Sequence, residues 1–234
     1  MQTSNKKRVT FQIGIRAGDG VILASDTRVV QQGKIRTSSD ASKYFTGANI
    51  ACCSSGTEYA EDVADYCVRN FNPLIAIDEQ IERACRTMFD AMRSRGGDPG
   101  LFYGGVLTAH CDGKDTRLWT TSLRQLPDGK TKSTTEVSTY EYIGDNANSA
   151  VFIAEKYIRP AILRRLPMRD LALVAAHTVL MAGEINPSTV GGLEIFLCDS
   201  SGFNRLPENE ITELSRQSAE LDAEISRQLF STAV

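Results

Sequence analysis

Blocks of strand-like sequence alternate with pairs of helix-like segments along the chain, and that order predicts an α+β layered domain. Strand signals cluster in three blocks. Apolar residues recur at three- and four-residue spacing in two pairs of segments between them, and 41% of the 234 residues are hydrophobic, enough for a sizeable core. In such an order each helix pair can cover one face of a sheet that water would otherwise reach.

Thr10 to Arg16 alternates and runs into Ala17-Gly18-Asp19-Gly20, whose Asp-Gly pair signals a tight turn before the apolar run Val21 to Ala24. A β-hairpin is expected there. Ile35 to Thr37, Tyr44 to Thr46 and Asn49 to Cys53 read as short strands, the last apolar enough to be buried and ended by Ser54-Ser55-Gly56-Thr57. Helical spacing follows from Thr57 to about Asn70, carried by Val63, Tyr66 and Cys67, and from Asp78 to about Arg95, carried by Ile81, Ala84, Cys85, Met88 and Met92. Gly96 to Gly100 is a loop, after which Leu101 to His110, Leu118 to Thr121 and Glu141 to Ile143 read as strands. A second helical pair, about Ala147 to Arg159 and Met168 to Ala182, precedes a strand from Leu193 to Cys198 and a short glycine-containing turn. Glu208 to Phe230 places Ile211, Leu214, Leu221 and Ile225 on one stripe amid charges, an amphipathic helix packed on this chain or on a neighbour. The expected division is a short polar N-terminal extension over 1–9, one folded domain over 10–206, and the C-terminal amphipathic helix over 207–234.

A net charge of −3 and a pI near 5.5 give no overall basic field, so neither nucleic acid nor an anionic membrane surface is expected as a partner. Met1 to Arg8 is polar with Lys6, Lys7 and Arg8, no apolar signal-peptide core follows it, and no apolar run approaches the roughly 20 residues that span a bilayer. A cytoplasmic location is the expectation. Cys52, Cys53, Cys67, Cys85, Cys111 and Cys198 show no paired C-x-x-C spacing and read as reduced, mostly buried thiols. With His110 and His177 as the only histidines, a His-based triad or a histidine-rich metal cage has little material, and neither a metal nor an organic cofactor is expected.

A hydrolase without such histidines can still use Thr, whose hydroxyl is activated by the free α-amine of the same residue when Thr begins the mature chain. Thr10 opens the first strand, Asp26 closes the second in Ala24-Ser25-Asp26-Thr27-Arg28, and Lys43 precedes the next in Ala41-Ser42-Lys43-Tyr44-Phe45. Read singly, such an Asp and Lys make a surface ion pair worth about 0 to 1 kcal/mol. Together with Gly14, Asp19-Gly20 and Cys52-Cys53-Ser54-Ser55-Gly56-Thr57, these stretches resemble the proteasome β-subunit family over roughly Thr10 to Asn204. Tyr142-Ile143-Gly144-Asp145 and Asn186-Pro187-Ser188-Thr189-Val190-Gly191 are more similar to its Anbu-like bacterial homologues.

The resemblance implies a four-layer αββα sandwich, the N-terminal-nucleophile hydrolase fold, acting as a threonine peptidase. It implies Thr10 as nucleophile, Asp26 and Lys43 beside it, and the Gly56 amide at the oxyanion. Ser54 would line the primary specificity pocket. Asp145 and Ser188 would be polar partners of the Thr10 amine, with Asn186 or Thr189 as substitutes. The implied substrates are peptides or unfolded proteins, in a homo-oligomeric ring or ring-like stack, with an ATP-dependent unfoldase as a further partner. An α-amine of ordinary pKa, about 7.7 to 8.0, can take the hydroxyl proton near neutral pH, directly or through water.

The amine exists only if the Val9-Thr10 bond is cut, and Val9, β-branched and stiff, stands where the family usually has Gly. Two further readings therefore accompany the peptidase: an unprocessed, non-catalytic scaffold or gating subunit, and a monomeric binding module. The second would leave Asp26 and Lys43 without a joint purpose.

Overall fold

The computed structural model describes residues 10–31, 34–37, 42–123, 132–144, 155, 158–187 and 190–230. In chain order the strands are β1 (Phe11–Arg16), β2 (Val21–Ser25), β3 (Arg28–Gln31), β4 (Lys34–Thr37), β5 (Tyr44–Thr46), β6 (Ile50–Gly56), β7 (Gly104–Cys111), β8 (Thr116–Leu123), β9 (Lys132–Val137), β10 (Tyr140–Gly144), β11 (Glu194–Asp199) and β12 (Gly202–Arg205). The helices are α1 (Glu58–Arg69), α2 (Ile77–Ser94), α3 (Pro160–Leu163), α4 (Met168–Ile185) and α5 (Glu208–Phe230). One antiparallel sheet has the order β10-β1-β2-β11-β12, the other β5-β6-β7-β8-β9, and β3-β4 is a separate hairpin.

Period-two alternation sorts the strand residues into three apolar layers. Ile13, Ile15, Ile22 and Ile195 face outward from the first sheet onto Leu171, Ala175 and Val179 of α4 and Ile211 of α5. Their neighbours Val21, Leu23 and Phe196 face inward and meet Cys53, Leu107 and Ala109 of the second sheet. On the far side of that sheet Ile50, Cys52 and Val106 pack on Val63 and Cys67 of α1 and Ile81 and Cys85 of α2. Helices, sheet, sheet, helices: the four-layer αββα sandwich is the architecture of this chain.

Several boundaries differ from the sequence-based expectation. The strand expected to end at Cys53 runs on to Gly56, because Ser54, Ser55 and Gly56 pair with Val106, Gly105 and Gly104. Conversely, β7 starts only at Gly104; Pro99–Leu101 is a 3-10 turn whose Gly100 amide donates to the Asp98 side chain at 2.8 Å. Three polar strands were not anticipated. β3 pairs with β4, β9 extends the second sheet beside β8, and β12 extends the first beside β11. The helix expected over 147–159 lies largely outside the described residues. α5 forms as anticipated, with Ile211 buried and Leu214 packed on the outer core, whereas Leu221 is exposed.

All six cysteines are buried and free. His177, buried on α4, shares a hydrogen bond of 2.9 Å with Ser218 of α5, a structural role that ties the two helices. Burial lowers the pKa of His110, whose ring lies 5.3 Å from that of Phe71. Among the described residues no helix is long and apolar enough to cross a membrane.

Candidate active site

The β1–β2 hairpin sets Gln12 opposite Ser25, so Thr10 and Asp26 fall together at its open end. The backbone fastens them there: the Asp26 amide donates to the Phe11 carbonyl at 3.2 Å, and the Phe11 amide donates to Asp26 Oδ1 at 2.9 Å. Lys43 arrives from the other sheet, one residue before β5. Its Nζ donates to Thr10 Oγ1 at 2.6 Å and to Asp26 Oδ2 at 2.7 Å, while the Thr10 hydroxyl donates to Asp26 Oδ1 at 2.5 Å. Three side chains thus close a ring of three hydrogen bonds across the two sheets.

Burial decides what kind of ion pair this is. The Asp26 side chain is fully enclosed and that of Lys43 is 6% exposed, so the surface-pair reading fails. Breaking a buried pair from one side leaves an uncompensated charge and costs about 3–5 kcal/mol. Asp26 also does more than orient Lys43, since one of its oxygens accepts the Thr10 hydroxyl itself. Sequence order gave no hint of that contact, which depends on the turn after β2.

Chemically, the ring presents a hydroxyl whose lone pair faces an ammonium and whose proton faces a carboxylate. The ammonium can hold negative charge on the Thr10 oxygen, and the carboxylate fixes the ammonium. Two titratable neighbours of Lys43 are shifted toward their neutral forms. Burial pushes the Cys53 thiol well above its ordinary value, and the neighbouring Cys52 adds to the rise. Tyr44, next to Lys43, is raised by burial in the same way. No trio of His, Cys, Asp or Glu among the described residues is grouped as a metal site.

A cleft of about 490 Å³ is lined by Ser55 and Gly56 at the end of β6, by Gly144 and Glu141 of β10, and by Thr120 and Thr135; it meets the Thr10 backbone through Gly144, while Thr10 itself is buried and is not among the lining residues. Gly56 has φ +116°, and a Cβ there would lie 2.6 Å from Gly104 Cα, so this end of β6 requires glycine. Ser54 stands just before, half-buried and opposite Val106. Asp145, Ser188 and Thr189 lie outside the described residues. Asn186 caps α4, its amide donating to the Ala182 carbonyl at 3.0 Å.

Gly144, which the sequence showed only as part of the stretch Tyr142 to Asp145, lies against the candidate site. It pairs with Phe11 at φ +143°, and a Cβ there would sit 2.0 Å from the Thr10 carbonyl oxygen. Gly144→Ala should therefore push the Thr10 backbone off its position. We expect a melting temperature lowered by several degrees together with at least ~10-fold loss of any Thr10-dependent turnover, as circular dichroism and peptide hydrolysis would show. Arg28 is a second such residue. Its guanidinium donates to the Pro187 carbonyl, and the Thr27 and Arg28 amides donate to the Gly191 carbonyl at 3.1 and 3.0 Å. The chain directly after Asp26 thereby holds Pro187 and Gly191, which flank residues 188–189.

Comparison with known proteins gives one family: the model described as Proteasome subunit matches residues 8–195. No curated protein matches the chain.

Proposed function

The chain belongs to the proteasome subunit family, and on that premise we propose that it is a threonine-type endopeptidase whose nucleophile is the Thr10 hydroxyl. The observation that carries this reading is the Lys43 ammonium, 2.6 Å from Thr10 Oγ1 and held by the enclosed carboxylate of Asp26. After removal of residues 1–9 the α-amine of Thr10, ordinarily titrating at about 7.7 to 8.0, takes the hydroxyl proton as the oxygen attacks a peptide carbonyl. Lys43 stabilises the charge that develops on the oxygen. The Gly56 amide donates to the oxyanion, the leaving amine departs with a proton, and water releases the acyl group from Thr10. Asp145 and Ser188 orient the amine. For Ser188 the support is that Pro187 and Gly191, which flank residues 188–189, are hydrogen-bonded to Arg28 and Thr27 just after Asp26. Ser54 sets the room available to the residue before the scissile bond.

Membership of the family implies an oligomeric ring that handles peptides. We place this chain with the Anbu-like members on the strength of the stretches around Asp145 and Ser188, as a cytoplasmic homo-oligomer fed by an ATP-dependent unfoldase. Intact mass of the purified protein tests the proposal. A mature chain beginning at Thr10 is expected. Retention of Met1 to Val9 in the assembled particle would favour the second reading, a non-catalytic ring subunit, for which the β-branched Val9 before Thr10 is the specific argument.

A further inference from the structure

The cleft that Gly144 joins to the Thr10 backbone is walled largely by neutral groups among its described lining residues. Hydroxyls and glycines of β6, β7 and β8 form one side, and among the described lining residues Glu141 is the single charged side chain. β10 is the edge strand of its sheet, and Glu141 lies on its inward face with Ile143. The Glu141 carboxylate accepts the backbone amide of Tyr142 at 3.0 Å, which fixes its direction while leaving acceptor capacity on the group. The charge is felt nearby: burial raises the Tyr142 phenol above its ordinary value, and Glu141 adds to the rise.

Distance sets what this carboxylate can reach. Glu141 is three residues along an extended strand from Gly144, so its backbone stands about 10 Å from the point where Gly144 abuts the Thr10 carbonyl. A lysine ammonium lies about 6 Å from its own Cα when extended, as bond lengths dictate. A basic residue within two positions of the bond held at Thr10 therefore spans the gap, and an acidic one meets repulsion in a partly dehydrated cleft.

We propose that Glu141 is a specificity-determining residue that makes this cleft select peptides carrying Lys or Arg within two residues of the scissile bond. The proposal rests on the peptidase reading, and its test separates the two. The probes are internally quenched alanine octapeptides with one Lys, or one Glu, placed at each position within two residues of the cleaved bond. At one or more positions the ratio of kcat/KM for Lys over Glu should reach ~10-fold, the scale of one charge-assisted contact. Glu141→Gln keeps the acceptor for the Tyr142 amide but removes the charge, so that ratio should fall toward unity; Glu141→Lys should invert it. A wild-type ratio near unity at every position, or a ratio unchanged in Glu141→Gln, overturns the proposal.

If no peptide is cleaved, the peptidase reading has failed and binding decides the rest. Fluorescence anisotropy of the same peptides on Thr10→Ala protein should then show a Lys preference that Glu141→Gln abolishes. Equal binding of Lys and Glu peptides would overturn the inference as well.

Discussion

Thr10→Ala should abolish peptide hydrolysis and leave Met1 to Val9 attached, while the protein still assembles. Ala removes the oxygen that joins Lys43 to Asp26 at 2.6 and 2.5 Å but leaves the direct Lys43–Asp26 contact of 2.7 Å intact. The fold therefore loses a small buried hydroxyl and keeps its ion pair. Turnover should fall to the background of the uncatalysed reaction, since the proposed nucleophile is gone. Mass spectrometry and a fluorogenic peptide assay read the two consequences. Normal maturation with wild-type turnover would exclude Thr10 as the nucleophile.

Lys43→Ala should cost at least ~100-fold in turnover, because the charge facing the Thr10 oxygen disappears. It should also destabilise the protein by about 3–5 kcal/mol, the cost of leaving Asp26 buried without its counter-charge. The second effect could masquerade as the first, so the comparison needs Lys43→Arg. Arg restores a positive charge but replaces a compact ammonium with a broad planar fork, which cannot touch Thr10 Oγ1 and Asp26 Oδ2 in the same geometry. A catalytic lysine predicts that Arg recovers more stability than turnover; a purely structural one predicts that both recover together. Denaturant unfolding gives the first quantity. Peptide hydrolysis gives the second, in protein that begins directly at Thr10 so that failed maturation is not read as failed chemistry. Near-normal hydrolysis by folded Lys43→Ala would end the proposed mechanism.

The layers were legible because apolar periodicity and the identity of the buried residues reinforce one another. Ile81, Ala84 and Cys85 recur at helical spacing and all turn inward, and Ile13 and Ile15 alternate with Gln12 and Gly14. Polar strands left no such trace. Lys132–Val137 is a strand because β8 offers it backbone partners, and Gly202–Arg205 because β11 does, so hydrogen bonding across chain-distant segments decided what composition could not. The end of β6 was misjudged for a related reason: Ser55 and Gly56 look like a turn until Gly105 and Gly104 are seen opposite them. Site residues divide the same way. Thr10, Asp26 and Lys43 were readable from the order of short motifs, and the structure brings all three into contact. Gly144 and Arg28 were not, since their importance lies in how closely one backbone approaches another.

On the peptidase reading, the hydrogen-bonded ring bears on how the chain would be switched on. In it Thr10 is held by Asp26 and Lys43, with Gly144 against its carbonyl oxygen. The positional work is done when the chain folds, and its reorganisation cost falls on folding, not on reaction. Cutting the Val9-Thr10 bond would then supply an amine to machinery already in place. On that reading, activation would break one backbone bond beside side chains whose mutual hydrogen bonds are already made.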